Sequence, residues 1–201
     1  MNPSELRMRA LEAIQDDADV HVWRILSPGE RLSHHRDPIV RMNFAEIADI
    51  IEVTPEHKLE QELLTLIASL PDEQKSAAGG CLAALALDDA ERLRVTMSLQ
   101  SLMDCWYDEA IHVACCHGFR SLHSVEGDVA LLGICSEDRA ARFAQVLAAS
   151  SLIHGGTLPL DTMPEIIERL AKDEDERVAT LAEVLREDLQ QKLRPSAETS
   201  E

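Results

Sequence analysis

Aromatic residues make up only 3% of this 201-residue chain. A core with so few rings must be filled by Leu, Ala, Ile, Val and Met, which suit helices better than strands. Basic residues are scarce as well: 19 Lys and Arg stand against 37 Asp and Glu, for a net charge of −18. The imbalance is spread along the chain, at −3, −5, −4 and −6 over residues 1–50, 51–100, 101–150 and 151–201. Ligands rich in phosphate bind by releasing counterions to Lys and Arg, so direct nucleic-acid binding is disfavoured. Anionic membrane surfaces are disfavoured for the same reason.

No apolar run approaches the length that spans a bilayer. The opening residues MNPSELRMRALEAI lack the apolar centre of a signal peptide, so a cytoplasmic protein is expected. The five cysteines are odd in number and include no Cys-x-x-Cys pair, which points to reduced thiols. No serine sits in a nucleophile-elbow setting and no glycine pattern resembles a phosphate loop, so the reading leans away from an enzyme. Fifteen of the 19 basic residues are Arg, a codon-bias signature of a GC-rich bacterial gene.

What is present describes a folded chain. The hydrophobic fraction is 45% and the charged fraction 28%, values ordinary for a globular domain. The length allows one domain with a real core. The expected fold is all-α, an irregular multi-helix bundle or helical-hairpin array of six to eight helices. Residues 1–42 read as an N-terminal helix over Ser4–Asp17 followed by an irregular arm or small β-hairpin near 20–42. Residues 43–194 read as the helical core domain, and 195–201 as a disordered tail.

Within the core domain, Asn43 and Glu46 resemble a capping box. Thr54-Pro55 marks a helix start, and Leu59, Leu63, Leu66 and Leu70 form one apolar stripe. Gly79-Gly80 marks either a helix break or a close approach of two backbones. Asp88 with Glu91 caps the longest predicted helix, running to about His117 with Gly118 as its terminator. The run VALLGIC after Gly127-Asp128 fits a buried helix or a strand. Ser136 is the expected cap of a helix closed by Gly155-Gly156. Thr162 and Glu165 open the last helical stretch, and the acidic cluster 172–176 divides it into two helices.

The stretch DCWYDEAIHVACCHGF, residues 104–119, concentrates three cysteines and two histidines. On one continuous helix, Val95, Leu99, Leu102, Trp106, Ala110 and Val113 share the core face. Cys105, Glu109, His112 and Cys116 then form a flanking stripe. Thiolate, imidazole and carboxylate all bind zinc, so Glu109, His112, Cys116 and His117 are candidate ligands for zinc or another transition metal, with His123 or His154 contributing. Glu109-x-x-His112 has the spacing seen in di-metal bundles, but no second such motif exists. The stripe would be about 16 Å long, too long for one ion. The plainer reading makes these thiols small core residues. A second cluster, Ser33-His34-His35-Arg36-Asp37, fits metal or acid/base chemistry, or simply an exposed loop.

The functional expectation is a non-enzymatic acidic protein that binds another protein, one of basic character, as an inhibitor, immunity, accessory or adaptor factor. It leaves homo-oligomers open and requires no cofactor. The alternatives are a metal-binding helical protein or enzyme built on the 105–117 helix, and an acidic nucleic-acid mimic.

Overall fold

The computed structural model describes residues 8, 10, 47, 50–70, 72–86, 88–136 and 140–193. Most of the predicted N-terminal helix, the 20–42 arm, the Ser33–Asp37 cluster, the Asn43–Glu46 box and the 195–201 tail lie outside these residues.

The fold is all-helical, and no strand occurs among the described residues. Eight helices have defined ends: α1 (Glu56–Ser69), α2 (Asp72–Ala84), α3 (Asp89–Cys105), α4 (Glu109–Ser121), α5 (Val125–Ser136), α6 (Arg142–Gly155), α7 (Met163–Leu170) and α8 (Glu176–Leu193). Residues 50–53 are helical too, so the count slightly exceeds the six to eight expected.

The helices pair as consecutive hairpins, α1–α2, α3–α4, α5–α6 and α7–α8. The second helix of each hairpin packs on the second helix of the next, giving a spine α2–α4–α6–α8. The first helices touch one another much less, and α1 and α3 barely meet. The result is an irregular bundle arranged as a short array of hairpins.

Local signals explain many of the elements. Leu59, Leu63, Leu66 and Leu70 are all buried, as their stripe predicts. The Asp88 carboxylate accepts the Glu91 N–H at 2.8 Å and caps α3. The VALLGIC run is helical, inside α5. The acidic cluster does separate α7 from α8.

The most extensive helix contact, α2 on α4, rests on small residues. Ala78, Cys81, Leu82 and Ala83 of α2 are buried. A Cβ on Gly79 would stand 2.3 Å from the Ala114 carbonyl oxygen, so only glycine lets the two backbones come this close. The glycine pair is therefore a close approach and not a break, since α2 runs through it.

Three predicted boundaries need correction. The helix predicted from Asp88 to His117 breaks at residues 106–108, where Trp106 and Asp108 are extended (φ −131°, ψ 116° and φ −134°, ψ 125°). Asp108 then caps a new helix, its carboxylate accepting the Ile111 N–H at 2.9 Å. Gly118 does not end that helix, which continues to Ser121. The left-handed residue that follows its C-terminus is His123 (φ 45°). Ser136 does not cap α6: its hydroxyl donates to the Leu132 carbonyl as the last residue of α5, and α6 begins after Ala141.

Candidate functional site

The break at 106–108 resets the helical phase, so the stripe drawn through Cys105, Glu109, His112 and Cys116 does not exist. Cys105 ends α3 and is exposed. The other three belong to α4, the central helix, whose residues from Ile111 to Phe119 are buried apart from Val113.

His112 is 2% exposed and both ring nitrogens are engaged by backbone. Its Nε2 donates to the Trp106 carbonyl at 2.9 Å, and its Nδ1 accepts the Ala141 N–H at 3.0 Å. The imidazole thus joins the α3–α4 connector to the start of α6. Glu109 faces outward and pairs with Arg177 of α8 at 3.1 and 3.3 Å. Arg177 also grips Asp175 and lies 4.9 Å over the Phe143 ring, which ties α8 to α4 and α6. The Cys116 thiol is buried and donates to the Ala144 carbonyl. His117 is buried on the same helix, while His123 and His154 are exposed elsewhere. Among the described residues, no group of three or more His, Cys, Asp or Glu side chains is placed to hold a metal ion.

The buried thiols are poor nucleophiles. Burial pushes Cys115 well above the ordinary thiol range and Cys135 up to about 12. Cys116 is driven up first by burial and then by the neighbouring Cys115 and Cys135. Their S–H groups point at helical carbonyls: Cys115 at Leu99, Cys116 at Ala144 and Cys135 at Gln145.

Two further constellations were not singled out in the sequence. Ser150, His154 and Asp188 line up, with His154 Nε2 3.1 Å from Asp188. His154 Nδ1 lies 2.8 Å from the Ser150 carbonyl and 3.4 Å from its hydroxyl, so the ring bonds to backbone in preference. The row sits at the C-terminus of α6, where carbonyl dipoles oppose a developing oxyanion. It ties α6 to α8 and is no nucleophilic triad. A cavity of about 420 Å³ is lined by Arg142, Arg169, Lys172, Asp173 and Glu174. Its cations are already engaged: Arg169 by Gln145 and the Cys135 carbonyl, Lys172 by Glu168, and Arg142 by Asp173.

What the break at 106–108 does create is an aromatic promontory. Trp106 is 53% exposed and Tyr107, the single tyrosine, is 81% exposed. The connector is held by two residues, His112 and Lys75. His112 binds the Trp106 carbonyl, the Tyr107 ring meets His112 edge-on at 5.9 Å, and buried Lys75 of α2 lies 3.6 Å from Asp108. Beside it a shallow groove of about 370 Å³ opens between α1 and α3. A Trp-Tyr pair is uncommon in a chain so poor in rings, and Asp108 three residues before Ile111 is a cap signal. Together they could have marked this turn.

No family model, no curated protein and no solved structure matches the chain.

Proposed function

We propose that this is a non-enzymatic, acidic helical protein that works by binding another protein of basic character. The observation that carries the reading is the fixed, outward display of Trp106 and Tyr107 on the α3–α4 connector. Tyr and Trp supply large contact area with few rotatable bonds, and they are enriched where binding energy concentrates. A connector already held in place loses less entropy when it docks. The net charge of −18 supports a basic partner, because long-range attraction speeds encounter. The hairpin array supports the same reading, since stacked helical hairpins present extended surfaces for other chains.

The test is quantitative capture from the source cell with wild-type bait and with the double variant Trp106→Ala, Tyr107→Ala. The expected result is one stoichiometric partner, weakened about tenfold or more in the variant. Weaker binding at higher salt is expected too. Equal recovery by both baits would reject the reading.

A further inference from the structure

We infer that the groove between α1 and α3 is a docking site for an amphipathic, basic helix of the partner protein. This inference rests on the protein-binding reading above and names the place and the class of ligand. The groove lies where α1 and α3, the first helices of neighbouring hairpins, run side by side with little direct contact. Its apolar wall is Leu64, Ala68, Leu102 and Trp106, the first three half-buried. Two of the hydroxyls that also line it, those of Thr65 and Ser98, bond to carbonyls of their own helices. Thr65 donates to the Gln61 carbonyl at 2.9 Å, and Ser98 to the Arg94 carbonyl at 3.1 Å. What remains facing the groove is largely carbon, which suits ridges of Leu or Ile from a helix laid along it.

Charge selects the occupant. Among the described residues, no charged side chain lines the groove itself, but the two helices that wall it, α1 and α3, carry six carboxylates against three cations. Glu60, which bonds to Ser98 at 3.5 Å, already neutralises Arg94 at 2.9 Å. Asp104, at the α3 end, is exposed. A second copy of this chain would bring another −18 charges against the first. A Lys- or Arg-flanked helix gains from the same field that repels a second copy.

The probe is a synthetic peptide of leucine and lysine, about five helical turns long, with its leucines on one face. Calorimetric titration compares it with a lysine–serine peptide of equal charge. The leucine peptide is expected to bind, and the serine peptide to bind at least about tenfold more weakly. Ser101 is exposed in the groove, so Ser101→Arg and the uncharged Ser101→Phe fill it at little cost to folding. Both are expected to weaken the leucine peptide about tenfold. Val184→Arg adds the same charge on α8, where Val184 is 51% exposed, and should leave binding within about twofold.

Equal affinity for the two peptides, or no effect of either Ser101 variant, would overturn the inference. So would a dimer in sedimentation that Ser101→Arg dissolves, since that would assign the groove to a second copy. If Trp106→Ala, Tyr107→Ala loses the cellular partner while the Ser101 variants keep both partner and peptide, the groove inference fails alone and the protein-binding reading stands.

Discussion

Gly79 of α2 and Gly118 of α4 meet at the centre of the molecule, where a Cβ on Gly118 would lie 3.2 Å from the Gly79 carbonyl oxygen. Neither glycine has positive φ, so both are there for space and not for conformation. The α2–α4 contact is the tightest joint of the helical spine, and α4 in turn sets the connector that displays Trp106 and Tyr107.

Three glycine-to-alanine variants separate packing from helix propensity. Each replacement gains up to about 1 kcal/mol of propensity in a helix interior. Gly133 of α5 has nothing within 4 Å of an added Cβ, so Gly133→Ala should stabilise by about that amount. Gly79→Ala drives a methyl to 2.3 Å from the backbone of Ala114 and should cost about 2 kcal/mol or more. Gly118→Ala meets the movable Cδ1 of Leu99 at 2.7 Å and should fall between them. Urea unfolding midpoints will rank the three, and a stabilising Gly79→Ala would refute the close crossing.

His112 bridges two backbone groups inside the fold. His112→Leu keeps the volume roughly but leaves the Trp106 carbonyl and the Ala141 N–H without their partner. Stability should drop by about 2–3 kcal/mol. Trp106 emission should also shift, because its carbonyl anchor is lost. A variant as stable as the wild type would show that the bridge is not formed in solution.

Asp108 should set part of the acid limb of stability. The Ile111 N–H, and then the charge of Lys75, hold its carboxyl below the ordinary value of 3.8. A depressed folded-state pKa contributes stability that is complete above the unfolded value and is lost as pH falls through the folded one. Asp108→Asn, which can still cap, should be less stable than wild type at neutral pH, and the gap should narrow as pH falls below about 3.8. Asp108→Ala should cost about 1 kcal/mol more by losing the cap as well. Glu168 and Asp175, lowered by Lys172 and Arg177 respectively, steepen the same limb in both proteins. A gap independent of pH would exclude the charge contribution.

Thiol reactivity should divide one against four. Cys105 is exposed, while Cys81, Cys115, Cys116 and Cys135 are buried. A disulfide reagent at neutral pH should modify one thiol per native chain quickly and all five in denaturant. Rapid native labelling of Cys115 or Cys116 would contradict the burial of α4.

The candidate site was legible only in its parts. Asp108, Glu109 and Ile111 form a cap pattern, and Trp106-Tyr107 is a poor helix pair by propensity. Extending the Val95–Leu102 periodicity through that turn carried the wheel into the wrong phase. His112 and Cys116 consequently fell on a flank when they are core. Cys105 and Glu109 share the stripe on paper, yet they end one helix and begin the next.

The sequence by itself determined the all-α class, the leucine stripe of α1, the Asp88 cap and the division of α7 from α8. Those features depend on periodicity and capping within a few residues, where local physics is sufficient. The tertiary structure alone decided which of two readings Gly79 takes, because its neighbour is the Ala114 carbonyl of another helix. It also decided that His112 serves two distant backbone groups and that the 106–108 turn faces water. Such outcomes depend on which helices meet across the chain, and a one-dimensional pattern does not carry that pairing.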